Sequence, residues 1–334
     1  MLISPFLLSK SLIVNPLLCI FNINKAYLIT QNISKMSWQT YIKEYGVYLK
    51  LERSLSENSL QAYLRDIQKF REYIELVGAD IPPKEVKTDN IRKFLVYLGK
   101  LGIAVSSQAR MLSGIKSFYK YLMLEEIIDS DPSSGVETPR LSRKVPDVLS
   151  LSEIEAMLSS IDLSTPEGAR NRAMIEVLYS SGLRVTELID LKISNLYLDV
   201  GFLRIIGKAN KERFVPIGRE ASKYLTIYIE QIRNKVPIKA ENEDYVFLNR
   251  RGTKISRVMV FMIIKEIAQA ANIKKNISPY TFRHSFATHL LLGGANIKAV
   301  QEMLGHENIT TTEIYKHLDQ EALKQTLLEF HPRN

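Results

Sequence analysis

The chain has little of what marks several common function classes. Among 334 residues there is one cysteine, Cys19, so neither a disulfide framework nor a cysteine-based metal site can be built. There is no GxxxxGK[ST] loop and no HExxH helix, which leaves an ATP-driven enzyme and a zinc protease without their motifs. No uninterrupted apolar run reaches the roughly 20 residues that a bilayer span requires. The nearest approach is the start of the chain. Met1 to Thr30 is rich in Leu, Ile and Phe, but Lys10, Pro16 and Asn22 break it and the uncharged stretch Ser11 to Asn24 is too short. It also lacks the basic cluster that opens a signal peptide. Residues 1–35 read as a disordered extension, or as the result of an upstream start ahead of Met36. No internal repeat or low-complexity tract is present.

What is present is an ordinary globular composition with a basic surplus. Hydrophobic residues make up 46% and charged residues 24%, and the length suits two domains with cores of their own. The net charge is +9 and the isoelectric point about 9.3. A surplus of that size points to a polyanionic partner, with nucleic acid the first candidate.

Helical periodicity begins at Trp38. Trp38, Tyr41, Ile42, Tyr45, Tyr48 and Leu49 form one stripe, and Leu60, Tyr63, Leu64, Ile67, Phe70, Tyr73, Ile74 and Val77 form a second. Gly78 and Pro82-Pro83 stop the second helix. A third buries Ile91, Phe94, Leu95 and Leu98. A fourth, after Gly102, turns Ala109, Leu112, Ile115, Phe118, Tyr119 and Leu122 inward. The outer faces of the second and fourth carry Arg65, Lys69, Arg110, Lys116 and Lys120, which suit either a solvated face or contacts to phosphates. Residues 131–147, with Pro132, Gly135, Pro139, Pro146, Arg140, Arg143 and Lys144, read as an extended basic linker. The expected domains are thus residues 36–130 and 148–334.

The second domain is expected to hold helices over 169–179, 220–233 and 258–271. A short helix bears Arg184 at its start, and a β-hairpin joins Phe202–Ile206 to Arg213–Ile217 with Lys208 and Lys211 in its turn. A short strand is expected over Tyr245–Leu248. The chain closes with Ser278-Pro279-Tyr280-Thr281-Phe282-Arg283-His284, then Leu304-Gly305-His306, then Tyr315 and an apolar tail with Leu323, Leu327 and Leu328. Taken singly, a histidine on such a helix is more often a core residue than a catalytic one, and Tyr315 is one of 16 tyrosines.

Arg184, Lys208, Arg283, His306 and Tyr315 together, in this order and at these separations, carry a resemblance. The chain resembles the tyrosine recombinases and is most similar to the Xer-type site-specific recombinases. The resemblance covers nearly everything from Met36 onward, including Ser181-Gly182-Leu183-Arg184-Val185-Thr186-Glu187-Leu188, Gly207-Lys208 through Pro216, and His331-Pro332-Arg333. It implies a mainly α fold. A four-helix, SAM-like core-binding domain would join a mostly helical catalytic domain with a small antiparallel sheet, of the topoisomerase IB-like kind, closing on DNA as a C-shaped clamp. It implies a cytoplasmic enzyme without cofactor or metal that binds double-stranded DNA. Four protomers, identical or from two paralogues, would assemble on two sites through the C-terminal helix, with a septal DNA translocase as a further partner. The family's work includes chromosome-dimer resolution at cell division; integration of mobile elements, DNA inversion and a non-cleaving DNA-binding role are the alternatives.

The chemistry agrees with the resemblance. Two guanidiniums can orient and neutralise a phosphodiester bidentately. A tyrosine hydroxyl can displace a 5′-oxygen to leave a covalent phosphotyrosine, which keeps the bond energy for religation. A lysine on a turn can protonate the leaving oxygen, and the resemblance assigns that to Lys208 where charge and periodicity do not choose between it and Lys211. His306 would hydrogen-bond the phosphate, and Glu187 would support the arginines. One position departs from the family. Where the family has histidine, three residues before the second arginine, this chain has Tyr280. A phenol with a reference pKa of about 10 is a poor proton acceptor near neutrality, so the base for Tyr315 is unassigned.

Overall fold

The computed structural model describes residues 37–78, 81–140, 147–207, 211–305 and 320–333. The chain divides into two compact units, residues up to 143 and from 144 onward. The first is built from α1 (Trp38–Leu51), α2 (Glu57–Leu76), α3 (Thr88–Lys100) and α4 (Val105–Leu124). Their apolar stripes meet in one aromatic-rich core. Trp38 stacks on Phe118 at 6.1 Å and meets Phe70 edge-on at 5.9 Å, while its indole N–H donates to the carbonyl of Ile81 at 3.0 Å. Such rings bury large areas and add about 0.5–1.5 kcal/mol per well-placed pair.

Residues 131–136 are not the start of an extended connection. Asp131 accepts from the backbone N–H and the hydroxyl of Ser133 at 2.7 and 2.6 Å, which closes a turn and delivers Val136 into the core of the first unit. Arg92 then donates to the carbonyl of Gly135 at 3.1 Å.

The second unit runs α5 (Leu151–Ser159), α6 (Pro166–Ser181), α7 (Val185–Ile189), β1 (Leu196–Tyr197), β2 (Phe202–Ile206), β3 (Glu212–Pro216), α8 (Arg219–Ile227), α9 (Arg257–Ala270), α10 (Pro279–Gly293), α11 (Ile297–Leu304) and α12 (Gln320–Phe330). The three strands form an antiparallel sheet in the order β1-β2-β3, with Leu203 opposite Val215 and Ile205 opposite Arg213. The hairpin follows its sequence pattern, but β1, two residues long, carries no pattern of its own. Over Tyr245–Leu248 the expected strand is absent. Tyr245 pairs singly with Lys192, and Leu248 singly with Lys254, because the segment is pinned at two separate points instead of along a ladder. The helix expected to reach 233 is α-helical only to Ile227 and continues as a π turn over Tyr228–Ile232. Among the described residues, no helix is long and apolar enough to cross a membrane.

The centre of the unit is α6, buried on nearly every side from Ala173 to Ser181, with its one buried carboxylate, Glu176, paired to Arg172 and Arg333. Thr165 caps its start and Pro166 stands at its first position, where a missing N–H costs nothing. Gly182 ends it at φ +58°, a conformation that disfavours any side chain, and a Cβ there would meet Phe286 at 2.5 Å. That tight turn sets the approach of the next residues, Leu183 and Arg184.

Candidate active site

Arg184 has extended backbone and caps α7. Its own N–H donates to Glu187 Oε2 at 2.8 Å and its guanidinium to Oε1 at 2.9 Å. Glu187 is buried, and burial opposes its ionisation. Arg213, foremost, and Arg184 outweigh that and hold the carboxyl below its usual range. Arg213, from β3, donates to the two carboxylate oxygens at 2.8 and 3.0 Å.

Arg283 comes from the second turn of α10. Ser278 starts that helix by donating its N–H to the hydroxyl of Thr281 at 3.1 Å, with Pro279 at the first position. Arg283 is 9% exposed as a residue, and its guanidinium donates to two backbone carbonyls, Gly182 at 2.8 Å and Leu304 at 2.6 Å. Arg184 donates to the next carbonyl, that of Gly305, at 3.3 Å. Two guanidiniums from helices remote in sequence therefore converge on consecutive carbonyls at the end of α11. Burial, and then the like charge of Arg184, brings the pKa of Arg283 down to about 10; Glu187 opposes this and Arg213 adds to it. Arg283 stays cationic at neutral pH, in a cluster whose surplus positive charge awaits an anion. Gly305 lies at φ +64°, closing α11 in the left-handed conformation immediately before His306.

Tyr280 sits on the first turn of α10, 62% exposed and three residues before Arg283. His284 is half-buried. His289 is a structural residue, its Nδ1 2.7 Å from the Tyr179 hydroxyl. Lys208, His306 and Tyr315 lie outside the described residues, as do Arg143 and Lys144. Lys211, Arg65, Lys69, Lys120 and Arg140 are exposed and Lys116 half-buried. Arg110 does not lie free on its helix: NH1 and NH2 donate to the two oxygens of buried Asp66 at 2.6 and 2.7 Å.

The family model described as phage integrase family matches residues 147–322, and that of the phage integrase N-terminal SAM-like domain matches residues 42–126. The chain belongs to the phage integrase family of tyrosine recombinases. Among its relatives, the tyrosine recombinase XerD of Listeria monocytogenes serotype 4b (strain F2365) is 41% identical over 292 residues, 87% of this chain and 98% of that protein. The fold is shared with solved recombinase structures. XerH bound to palindromic difH substrate in a post-cleavage complex aligns with a TM-score of 0.65 at 24% identity, over 87% of this chain and 84% of that one. A lambda integrase tetramer bound to a Holliday junction aligns with a TM-score of 0.66 at 16% identity, over 86% and 83%.

Within this recombinase, two groups escaped sequence reasoning. Arg213 is one. Its signal was its place on the strand that follows Lys211, where successive side chains point to opposite faces. The other is the buried cluster behind α10, in which Glu176 accepts from Arg172 at 3.1 Å and from Arg333 at 2.6 Å. The apolar tail is also placed differently from the expectation of a stripe held out for a neighbour. Leu323 and Leu327 of α12 are buried against Phe286, Leu290, Val300 and Met303 of the same chain.

Proposed function

We propose that this recombinase cuts and rejoins duplex DNA through a 3′-phosphotyrosine link, in an Xer-like role that resolves chromosome dimers at segregation. The observation that carries the reading is the convergence of Arg184 and Arg283 on the carbonyls of Leu304 and Gly305, at the turn that leads into His306. Two fixed guanidiniums give a bidentate seat for one scissile phosphate, and catalysis of phosphoryl transfer rests mainly on such positioning and charge stabilisation.

In this reading Tyr315 attacks phosphorus as its phenol proton passes to water, the P–O5′ bond breaks, and Lys208 donates a proton to the departing 5′-oxygen. His306 donates to a non-bridging oxygen, as does the exposed hydroxyl of Tyr280 in place of the usual histidine. Reversal by the 5′-hydroxyl of another strand restores a phosphodiester and frees Tyr315, so one bond replaces another without ATP. Duplex DNA is the partner, met also by the basic residues Arg65, Lys69, Lys116, Lys120, Arg140, Arg143 and Lys144. Strand exchange between two sites requires four protomers. Because α12 is seated on its own body, it can reach a neighbour only through its outer face or by leaving that seat. A paralogous recombinase and a septal DNA translocase complete the Xer-like reading.

The test is covalent capture. On a nicked duplex that traps the adduct, the native enzyme links to the 3′ end and the linked peptide contains Tyr315. Tyr315→Phe binds the same duplex and forms no adduct; Tyr280→Phe still forms one, more slowly. An adduct peptide containing Tyr280 would overturn the assignment. Mapping adducts on genomic DNA tests the role: attachment at mobile-element ends instead of a single chromosomal site rejects dimer resolution.

A further inference from the structure

We infer that Arg213 is a positioning residue for strand cleavage, sharing the charge of Glu187 and holding the end of α11 in place so that Arg184 stays available to the phosphate. The inference rests on the proposed cleavage chemistry and adds to it a residue that does not touch the substrate.

Arg213 is poorly placed to be a catalytic residue. Its side chain is only 16% exposed, and its NH1, NH2 and Nε all donate inward. NH1 and NH2 take the two oxygens of Glu187, and Nε donates to the carbonyl of Met303 at 3.2 Å. Its position therefore ties three elements together: β3, on which it sits, α7, which bears Glu187, and the last turn of α11. The tie to α11 is tight. A Cβ on Gly305 would lie 3.0–3.1 Å from Nε, Cδ and Cζ of Arg213, so the turn before His306 rests directly on this guanidinium. The carbonyl of the same Gly305 accepts from Arg184.

The charge count gives Arg213 its second effect. Glu187 accepts four hydrogen bonds, two from Arg184 and two from Arg213. With both partners present, its single negative charge is shared between two guanidiniums, and Arg184, 39% exposed, keeps part of its positive field for an incoming anion. Without Arg213, Glu187 would have Arg184 as its only hydrogen-bonded counter-ion among the described residues. A buried carboxylate with one partner holds that partner strongly, and the resulting neutral pair would stand where a phosphate has to bind. The alternative is that Arg213 only stabilises the fold, as any buried ion pair would. The two differ in what happens when the Glu187 charge is removed as well. If Arg213 acts by restraining that charge, its loss is relieved by Glu187→Gln, which keeps an acceptor oxygen for Arg184. If it acts by stability alone, the folded protein forms adduct at the native rate in every variant, and the second substitution recovers only the melting temperature by removing an orphaned buried charge.

The experiment is a double-substitution cycle on the full chain, read by single-turnover covalent capture on the nicked duplex and, separately, by duplex binding. Arg213→Met is expected to bind DNA within about threefold of the native protein, because it removes no phosphate contact, and to form adduct about a hundredfold more slowly, as a small displacement of a catalytic group can cause. Adding Glu187→Gln to Arg213→Met is expected to restore about tenfold of that rate, a coupling that independent stabilising contacts do not show. If Arg213→Met does not fold, Arg213→Gln carries the same cycle with the same expected recovery. A single variant that forms adduct at the native rate, or a double variant slower than both singles, overturns the inference. Failure of the native chain to form any adduct would instead count against the proposed cleavage reaction, so the two are told apart.

Discussion

His331 should make the C-terminal end of the chain sensitive to mild acid. Its ring is 5% exposed, tilted against Tyr179 with ring centres 4.7 Å apart and against Phe286 at 5.7 Å. The N–H of Arg333 donates to Nδ1 at 3.3 Å, which leaves the proton of the neutral ring on Nε2, an atom without a hydrogen-bond partner of ordinary geometry among the described residues. Burial pushes the pKa down from 6.5 to about 4; the nearby carbonyl of Tyr179 opposes this, while the charges of His289 and Arg333 add to it. In the unfolded chain the ring takes a proton below about 6.5, whereas in the folded chain it stays neutral until about 4. Between those values the unfolded state binds more protons, so stability from this residue is fully present above 6.5 and is lost as pH falls toward 4. At about 1.4 kcal/mol per pH unit the whole loss is about 3 kcal/mol, of which about 2 kcal/mol falls between pH 8 and pH 5. Trp38 reports only on the first unit, so the measurement is amide hydrogen exchange over 279–293 and 320–333. His331→Phe keeps an aromatic ring in the site and removes the titration. Relative to the native protein, its opening free energy in these segments should improve by about 2 kcal/mol on going from pH 8 to pH 5. Carboxylates and His289 titrate in both proteins and cancel in the comparison. Parallel pH profiles would refute the argument.

The first unit contains a second coupled pair. Arg110→Ala leaves the buried carboxylate of Asp66 without its partner. Breaking a fully buried pair costs about 3–5 kcal/mol, and because Arg110 is half exposed, water recovers part of it, leaving about 2 kcal/mol. Burial already raises the Asp66 pKa despite Arg110, so loss of Arg110 raises it further and the cost should shrink as pH falls and the carboxyl takes a proton. Thermal melts followed by Trp38 fluorescence at pH 8 and pH 5 check this; an unchanged melt would make Arg110 a DNA contact alone. For the leaving group, replacing the bridging 5′-oxygen by sulfur should restore most of the cleavage lost in Lys208→Ala but little of that lost in Lys211→Ala, because a thiol with a pKa of about 8.5 departs without a proton donor. Rescue confined to Lys211→Ala would move the acid role to that residue.

The helices of the first unit were legible because each buries one face. In α2, Leu60, Ile67, Phe70 and Ile74 recur at the helical period and are the residues that the core covers. Periodicity does not mark α6, where burial runs round the whole helix from Ala173 to Ser181, although the helix expected over 169–179 is there and ends, as expected, at Gly182. It also misread Tyr245–Leu248, whose β-branched and aromatic residues suit a strand but whose backbone forms two isolated bridges, to Lys192 and Lys254, and no ladder. Periodicity reports what one element needs, not whether a neighbouring ladder exists to supply it.

The same limit separates the two halves of the candidate site. Arg184 and Arg283 stand out in sequence because each sits in a local motif, one just after the glycine that ends α6 and one just after the start of α10. Their support does not. Arg213 is 26 residues from Glu187 and 90 from Met303; buried pairs elsewhere in the chain are no closer, Asp66 and Arg110 being 44 residues apart and Glu176 and Arg333 157. Nothing in the local pattern around any of these marks its partner, since an arginine two positions along a strand reads equally well as a solvated charge. What the structure adds is the requirement that a buried carboxylate be paired. Once Glu187 is seen to be buried, a second cation beside it becomes necessary if Arg184 is to keep charge for a phosphate, and Arg213 is the residue that the sheet places there. The positions proposed to bind substrate can be read from motifs; the position proposed to keep them free to bind it follows from the burial of its neighbour Glu187.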